Sequence, residues 1–290
     1  MASFKGTEIN PRYFHRSQIK FYVILIIVAI IMGLPIVYIF NHAFKPIDEL
    51  FAWPPRFFVI NPTFKNFNDL FQMASTTGIP ASRYLFNSII IAIIVVVASI
   101  VVGSMAGFAL SKLKFKLKKP MLFANNIALM FVGTAVVIPR CLVVERLGLI
   151  DTFWVHIIPS LAIPVGLFLI KQFIDQIPEE LIEAAKIDGA GHFRIYWSIV
   201  LPLIKPAIAT IAIVAFQSTW NNAEISTNYI NRESIKTFAF YLQTLTNQGN
   251  AVAGQGISAA ASLIMFVPNL VIFIFLQKNV MNTMAHSGIK

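Results

Sequence analysis

Six stretches of the chain are apolar and long enough to cross a bilayer, for which a helix needs about 20 mostly apolar residues. They are 21–40, reading FYVILIIVAIIMGLPIVYIF, then 85–110, 120–139, 152–170, 199–218 and 257–276. The fifth is the weakest, because Pro202, Lys205 and Pro206 interrupt its start. The first exceeds the about 7–15 apolar residues of a secretion signal and no A-x-A cleavage pattern follows it, so it reads as a retained helix. Two long outer connections remain, 43–84 and 219–256. Pro46, Pro54, Pro55 and Pro62 exclude a helix throughout the first, and a strand, while the second is polar and Asn-rich. Connections this long are usually functional or disordered. There is no internal repeat, no low-complexity tract and no candidate for a separate soluble domain. The pattern predicts an all-α membrane protein with six transmembrane helices.

Composition agrees. Apolar residues make up 57% and charged residues 12%, against about 45–50% and about 25% in soluble domains. The net charge is +10, but the basic residues sit in short blocks between spans. That argues for topology signals and against nucleic acid. With the N-terminus inside, the inner segments hold Lys5, Arg12, Arg16 and Lys20, the dense block SKLKFKLKK (111–119), then Lys171, Lys186, Arg194, Lys205, Lys278 and Lys290. The outer segments hold only Lys45, Arg56, Lys65, Arg83, Arg140, Arg146, Arg232 and Lys236. Both termini are therefore expected in the cytoplasm, with a tail at 1–20, a transmembrane domain at 21–277 and a tail at 278–290. The single cysteine, Cys141, makes neither an intrachain disulfide nor a multi-cysteine metal site.

The central parts of the spans contain no Asp, Glu, Lys or Arg. This argues against an ion-coupled carrier or a charged channel filter. His156, near the outer end of the fourth span, reads as a satisfied interfacial residue rather than a proton relay. Neutral polar groups remain: Asn125 and Asn126 in the third span, Gln217, Trp220, Asn221 and Asn222 at the end of the fifth, and Asn269 in the sixth. Amides hydrogen-bond sugar hydroxyls and equally bond helix to helix, so pathway lining and packing both stand. Gly103 and Gly107 form a G-x-x-x-G in the second span, read as a packing face.

The inner connection between the fourth and fifth spans runs IPEELIEAAKIDGAGHFRIYWSIVLPLIKP from Ile177 to Pro206. Pro178 suits a first helical turn, Glu179 and Glu180 its positive end, and Gly189 its stop. Leu181, Ile182 and Ala185 are expected to share a face. A second short helix follows from about Gly191, on which Phe193, Tyr196 and Trp197 fall at i, i+3, i+4 as an aromatic face. Two short helices with a glycine bend and an apolar, charge-rimmed face suit a groove in a soluble partner or the membrane surface.

This segment resembles the EAA loop of binding-protein-dependent ABC importer permeases, whose pattern is E-A-A, three residues, G, nine residues, I, one residue, L-P. Here it reads Glu183, Ala184, Ala185, Gly189, Ile199, Leu201 and Pro202, inside a coupling loop at 177–202. The likeness covers almost the whole chain and is to the carbohydrate-uptake branch, similar to the smaller permease of maltose-type importers. It includes INPTFKNFNDLF (60–71), LFNSIIIA (85–92), RLGLIDT (146–152), STWNNAE (218–224) and the ending HSGIK. One departure is Asn222 after Trp220 and Asn221, where an acidic or aromatic residue is common. The ending and 237–265 are most similar to permeases for oligosaccharides of plant or animal polysaccharides, uronate-containing ones among them.

The resemblance implies the type I ABC importer permease fold in a bacterial inner membrane. It also implies a second homologous permease subunit, two cytoplasmic ABC ATPase subunits and an external solute-binding protein. Glu183 would pair with a basic residue of the ATPase and Gly189 would permit the bend. Asp188, Phe193, Tyr196 and Trp197 join Glu183, Ala184, Ala185, Gly189, Leu201 and Pro202 as the expected coupling set. The chain has no G-x-x-x-x-G-K-[ST] and no Gly-Lys pair. It is therefore expected to hold no cofactor and to be no enzyme, with ATP and Mg on the partner subunits.

Overall fold

The computed structural model describes residues 18–72, 78–248 and 252–287, and every regular element among them is helical. Lys5, Arg12, Arg16 and Lys290 lie outside the described residues. The chain divides into two compact units, Met1–Leu70 with Gly249–Leu263, and Phe71–Gln248 with Ile264–Lys290.

The first unit begins with α1 (Ile19–Phe44), whose most apolar window has a mean hydropathy of 3.0 and no buried residue. A bilayer offers the backbone no hydrogen-bond partner, so such a segment closes its own bonds as a helix. Two short helices follow, α2 (Ile47–Leu50) and α3 (Lys65–Gln72). The chain between them is stapled. The buried Asn66 amide donates to the Ala43 and Lys45 carbonyls at 2.9 and 2.8 Å. The Glu49 carboxylate accepts the Ile60 and Asn61 N–H groups at 3.0 and 2.8 Å. Gly256 packs so closely here that a Cβ would come within 2.7 Å of Asn66 Oδ1.

The second unit is built on α4 (Ala81–Lys112), followed by α5 (Lys118–Met130), α6 (Val137–Arg146) and α7 (Pro164–Asp175). Next come α8 (Glu179–Ile187), α9 (His192–Ile195), a π-helical turn at Tyr196–Val200, α10 (Leu201–Leu203) and α11 (Lys205–Trp220). The chain ends with α12 (Glu224–Tyr229), α13 (Phe238–Gln248) and α14 (Val252–Ser287), the last contributing to both units. α4 packs on α7 and α11, and the expected small-residue face is where α7 meets it: Gly103 and Gly107 both look onto Ile170.

Three helices are by themselves long and apolar enough to cross a membrane: Ile19–Phe44, Ala81–Lys112 and Gly254–Gln277 within α14. The other three expected spans are bent pairs, which raise the number to at most six. The third, expected as one helix over 120–139, instead turns by 114° between Lys118–Met130 and Gly133–Arg146. An unbroken helix would set the Pro139 ring against the Ala135 carbonyl; in the structure Pro139 falls in the first turn of α6, where it is harmless. The fourth consists of 3-10 turns at Phe153–His156 and Pro159–Leu161 and then α7, bent by 42° at Pro164. The fifth turns by 81° between His192–Leu203 and Lys205–Trp220, at the break expected from Pro202, Lys205 and Pro206. Residues 199–203 thus lie before the bend and apart from α11.

The connection 219–256, read as a polar loop, is largely helical, holding α12 and α13. It is pinned to the N-terminal end of α4. The Asn87 amide donates to the Ser234 and Lys236 carbonyls, both at 2.9 Å, and the Phe238 N–H donates to Ser88 Oγ at 2.8 Å. Asp151, in the left-handed region at φ 56°, accepts the Asn231 and Arg232 N–H groups at 3.1 and 2.9 Å and Arg232 Nε–H at 3.0 Å. His156 is buried, its Nε2 3.2 Å from the Ile235 carbonyl, as a satisfied residue should be.

Candidate functional site

The inner connection forms the knob that its sequence predicts. Pro178 immediately precedes α8, and Glu179 and Glu180 occupy its first turn. The helix closes at Gly189, φ +79°, with N–H bonds from Asp188 to Ala184 (3.0 Å), Gly189 to Lys186 (3.0 Å) and Ala190 to Ala185 (2.9 Å). A glycine takes this left-handed position without the Cβ penalty of other residues. Gly191 then leads into α9, and the π-helical turn carries the chain to Leu201 and Pro202.

The inner face of the knob is bolted to three helices. Ile182, Ile195, Tyr196 and Val200 form one buried cluster with Phe108 of α4, Ile170 and Ile174 of α7, Ile204 just before α11, and Ala207 and Ile211 of α11. Ser104 Oγ lies 2.7 Å from Tyr196 Oη, and Lys112 Nζ donates to the Ile177 carbonyl at 2.7 Å.

The outer face separates what the sequence grouped. Phe193 and Trp197 are exposed and stacked, with centroids 6.4 Å apart and planes 16° apart. Tyr196, expected beside them, is buried against Phe108 and is withdrawn from the exposed face. Ile195 and Tyr196, at the junction of α9 and the π-helical turn, point inward together, while Phe193 and Trp197 stay out. Leu181 is likewise exposed, leaving Ile182 and the half-buried Ala185 as the inward pair of α8. Glu183, Ala184, Asp188 and Gly189 are exposed, Leu201 is half-buried in the cluster and Pro202 is exposed.

The expected pathway amides fall into two groups. Asn221 and Asn269 pair: the Asn269 amide donates to Asn221 Oδ1 at 3.1 Å and to the Met265 carbonyl at 3.0 Å. Gln217 is exposed one turn before Asn221, and its carbonyl accepts the Asn221 amide at 3.0 Å. Trp220 does not present itself to a pathway. It is buried, stacked on Phe216, and its indole N–H is donated to the Met265 carbonyl at 3.0 Å, as a buried indole requires. Asn222 Oδ1 accepts the Ile225 N–H at 3.0 Å at the start of α12, a capping role. Far along the chain, the Asn125 amide donates to the Pro164 carbonyl at 3.3 Å beside an apolar cavity of about 400 Å³ that Ser99, Gly103 and Ile211 also line. Asn126 is exposed.

Residues 99–280 match the family described as binding-protein-dependent transport system inner membrane component. The chain belongs to this family. The permease is 28% identical over 271 residues to the polygalacturonan/rhamnogalacturonan transport system permease protein YtcP of Bacillus subtilis, covering 89% of this chain and 92% of that one. It is 32% identical over 233 residues to the maltodextrin transport system permease protein MalD of Streptococcus pneumoniae, covering 80% and 81%. Its fold is that of a chain of the bacterial ABC transporter involved in the import of the acidic polysaccharide alginate, with a TM-score of 0.79 at 23% identity, covering 93% of the permease and 99% of that chain. The permease is thus a multi-pass inner-membrane component, in keeping with its apolar helices.

One residue of the permease knob and one of α4 beneath it escaped the sequence reading. Ile187 is 86% exposed at the tip of α8, next to the Asp188–Gly189 turn. An isoleucine in the last helical position, out of phase with Ile182 and Ala185, was the available signal. Ser104 is fully buried and holds Tyr196, and nothing in an apolar span marks one serine as the partner of a tyrosine 92 residues away.

Proposed function

We propose that this chain is one of two permease subunits of an ATP-driven importer for an oligosaccharide. Its six spans, three of them bent, leave both termini and the knob in the cytoplasm. The exposed Ile187, the stacked Phe193 and Trp197, and the exposed Glu183 and Asp188 dock in a groove of an ATPase subunit that carries ATP and Mg. Closure of the ATPase pair drives the knob, and the shared core passes the motion to α4, α7 and α11. An external solute-binding protein delivers the sugar, and the Asn221–Asn269 pair with Gln217 supplies hydroxyl-binding groups at the junction of α11 and α14. Tails at 1–20 and 278–290 lie in the cytoplasm.

One observation carries this reading: the unbroken E-A-A…G…I-x-L-P spacing falls on a knob that exposes Ile187, Phe193 and Trp197 and is welded to the bundle inside. Glu183→Lys and Gly189→Pro are expected to abolish uptake in the assembled transporter and to release the ATPase on purification. Normal uptake and normal complex recovery in both variants would overturn it. A label on Ser198→Cys that reacts only from outside the cell would overturn the orientation. A thermal-shift screen of the cognate binding protein separates sugars from polyamines or phosphonates as the solute.

A further inference from the structure

The connection after α1 presents Phe51, Trp53, Phe57, Phe58 and Phe64 in exposed positions, with Trp53 90% and Phe58 66% exposed. A patch of that kind marks an interaction surface, and its placement against α1 identifies the medium it meets. At about 1.5 Å per residue, the 26 residues of α1 make a rod about 39 Å long. The hydrocarbon core is about 30 Å thick, so only about a turn emerges at each side.

The loop does not stand off from this rod. The Phe57 ring lies 6.2 Å from the Tyr38 ring, and the Val59 N–H donates to Asn41 Oδ1 at 3.1 Å. Tyr38 precedes the helix end at Phe44 by about 9 Å. The chain thus folds back down a wall whose neighbouring residues, Val37 and Phe40, are exposed and apolar. The return is rigid: Lys45 Nζ donates to the Arg56 carbonyl at 2.5 Å, and the Thr63 N–H donates to the Phe44 carbonyl at 2.8 Å.

Charge points the same way. Between Leu50 and Pro62 the only charged residue is Arg56. Of the two acids just before this stretch, Asp48 is exposed on α2, and Glu49 is turned inward onto the Ile60 and Asn61 N–H groups, which hold its carboxyl below the usual range. A surface of Trp and Phe that carries one cation and no acid within 51–60 suits the headgroup layer, where aromatic side chains collect. We infer that residues 51–60 form an aromatic hook that rests in the outer-leaflet headgroup region, with phospholipid as its partner.

The test uses the assembled transporter in nanodiscs of phosphatidylcholine and phosphatidylglycerol. In a Cys141→Ser background, spin labels are placed at Phe58→Cys, at Trp53→Cys, and at the exposed polar position Asn68→Cys as reference. Accessibility is read to oxygen, which partitions into lipid, and to a water-soluble nickel chelate. The labels at 53 and 58 are expected to show an oxygen-to-nickel ratio several-fold above that at 68. Ratios equal to the reference at both positions overturn the inference. Nickel access that is lost only on adding the binding protein or an oligosaccharide also overturns it, and assigns the patch to that partner instead.

Discussion

Alanine at Gly107 is expected to destabilise the bundle, whereas alanine at Gly103, on the same face of α4, is not. A Cβ at 107 would overlap the Ile170 Cγ2 methyl and lie 3.3 Å from Ile170 Cβ and 3.4 Å from Ile174 Cδ1. Both isoleucines are fully buried, so neither has space to move into. Overpacking of a filled core costs about 1–3 kcal/mol, more than the about 0.5–1 kcal/mol that Gly→Ala gains in a helix interior. At Gly103 the nearest atom is Ile170 Cδ1 at 3.5 Å, an ordinary contact, and the helical gain stands. A net loss of up to about 2.5 kcal/mol corresponds to a melting point lower by up to about 10 °C for a chain of this size. The assay is the thermal loss of the monodisperse peak of a fluorescently tagged chain in detergent. Ile170→Leu removes the Cβ branch, keeps the volume and costs less than about 1.5 kcal/mol alone; combined with Gly107→Ala it should melt above the Gly107→Ala single variant. Equal melting of the two glycine variants, or no rescue by leucine, refutes the packing account.

Other expectations concern the knob, the outer clamp and the first unit. Phe193→Ala with Trp197→Ala should leave the melting point unchanged and reduce ATPase recovery on purification; Tyr196→Phe should do the reverse, losing about 0.5–1.5 kcal/mol with its Ser104 bond. Bonds from the Arg232 and Asn231 N–H groups, with the Arg232 charge, hold the Asp151 carboxyl below its usual range. The folded value being depressed, this clamp stabilises above the unfolded pKa of about 3.9 and is lost as the pH falls through the folded value. Wild type should therefore melt above Asp151→Asn near neutral pH, and the two should converge in acid; parallel pH curves count against the clamp. Gly256→Ala should displace Asn66 and strand the Ala43 and Lys45 carbonyls, at about 1–3 kcal/mol. Faster amide exchange across 57–64 is the readout, and unchanged exchange speaks against it.

Most of the fold was legible because lipid imposes a simple rule on a chain: long apolar stretches must close their own backbone bonds. That rule located α1, α4 and α14 and placed the weak point of the fifth span at Pro202–Pro206. It could not foresee the 114° turn after Met130, because hydropathy runs on through a bend that Pro139 only permits. The knob was legible for a different reason. Pro178, Gly189 and Gly191 act within a few residues of themselves, so local backbone chemistry set where α8 starts and stops.

What faces what was decided by tertiary packing. Phe193, Tyr196 and Trp197 look alike at helical spacing, yet contact with Phe108 and the Ser104 hydroxyl takes one of them inward. Gly103 and Gly107 look alike in G-x-x-x-G, yet the branch of Ile170 falls on one alone. Trp220 and Asn221 are neighbours, but only the asparagine remains exposed, since the carbonyl of Met265 claims the indole. Sequence carries the period and the breakers. Which side chain finds a partner depends on atoms 40 to 150 residues away that meet only when the helices pack.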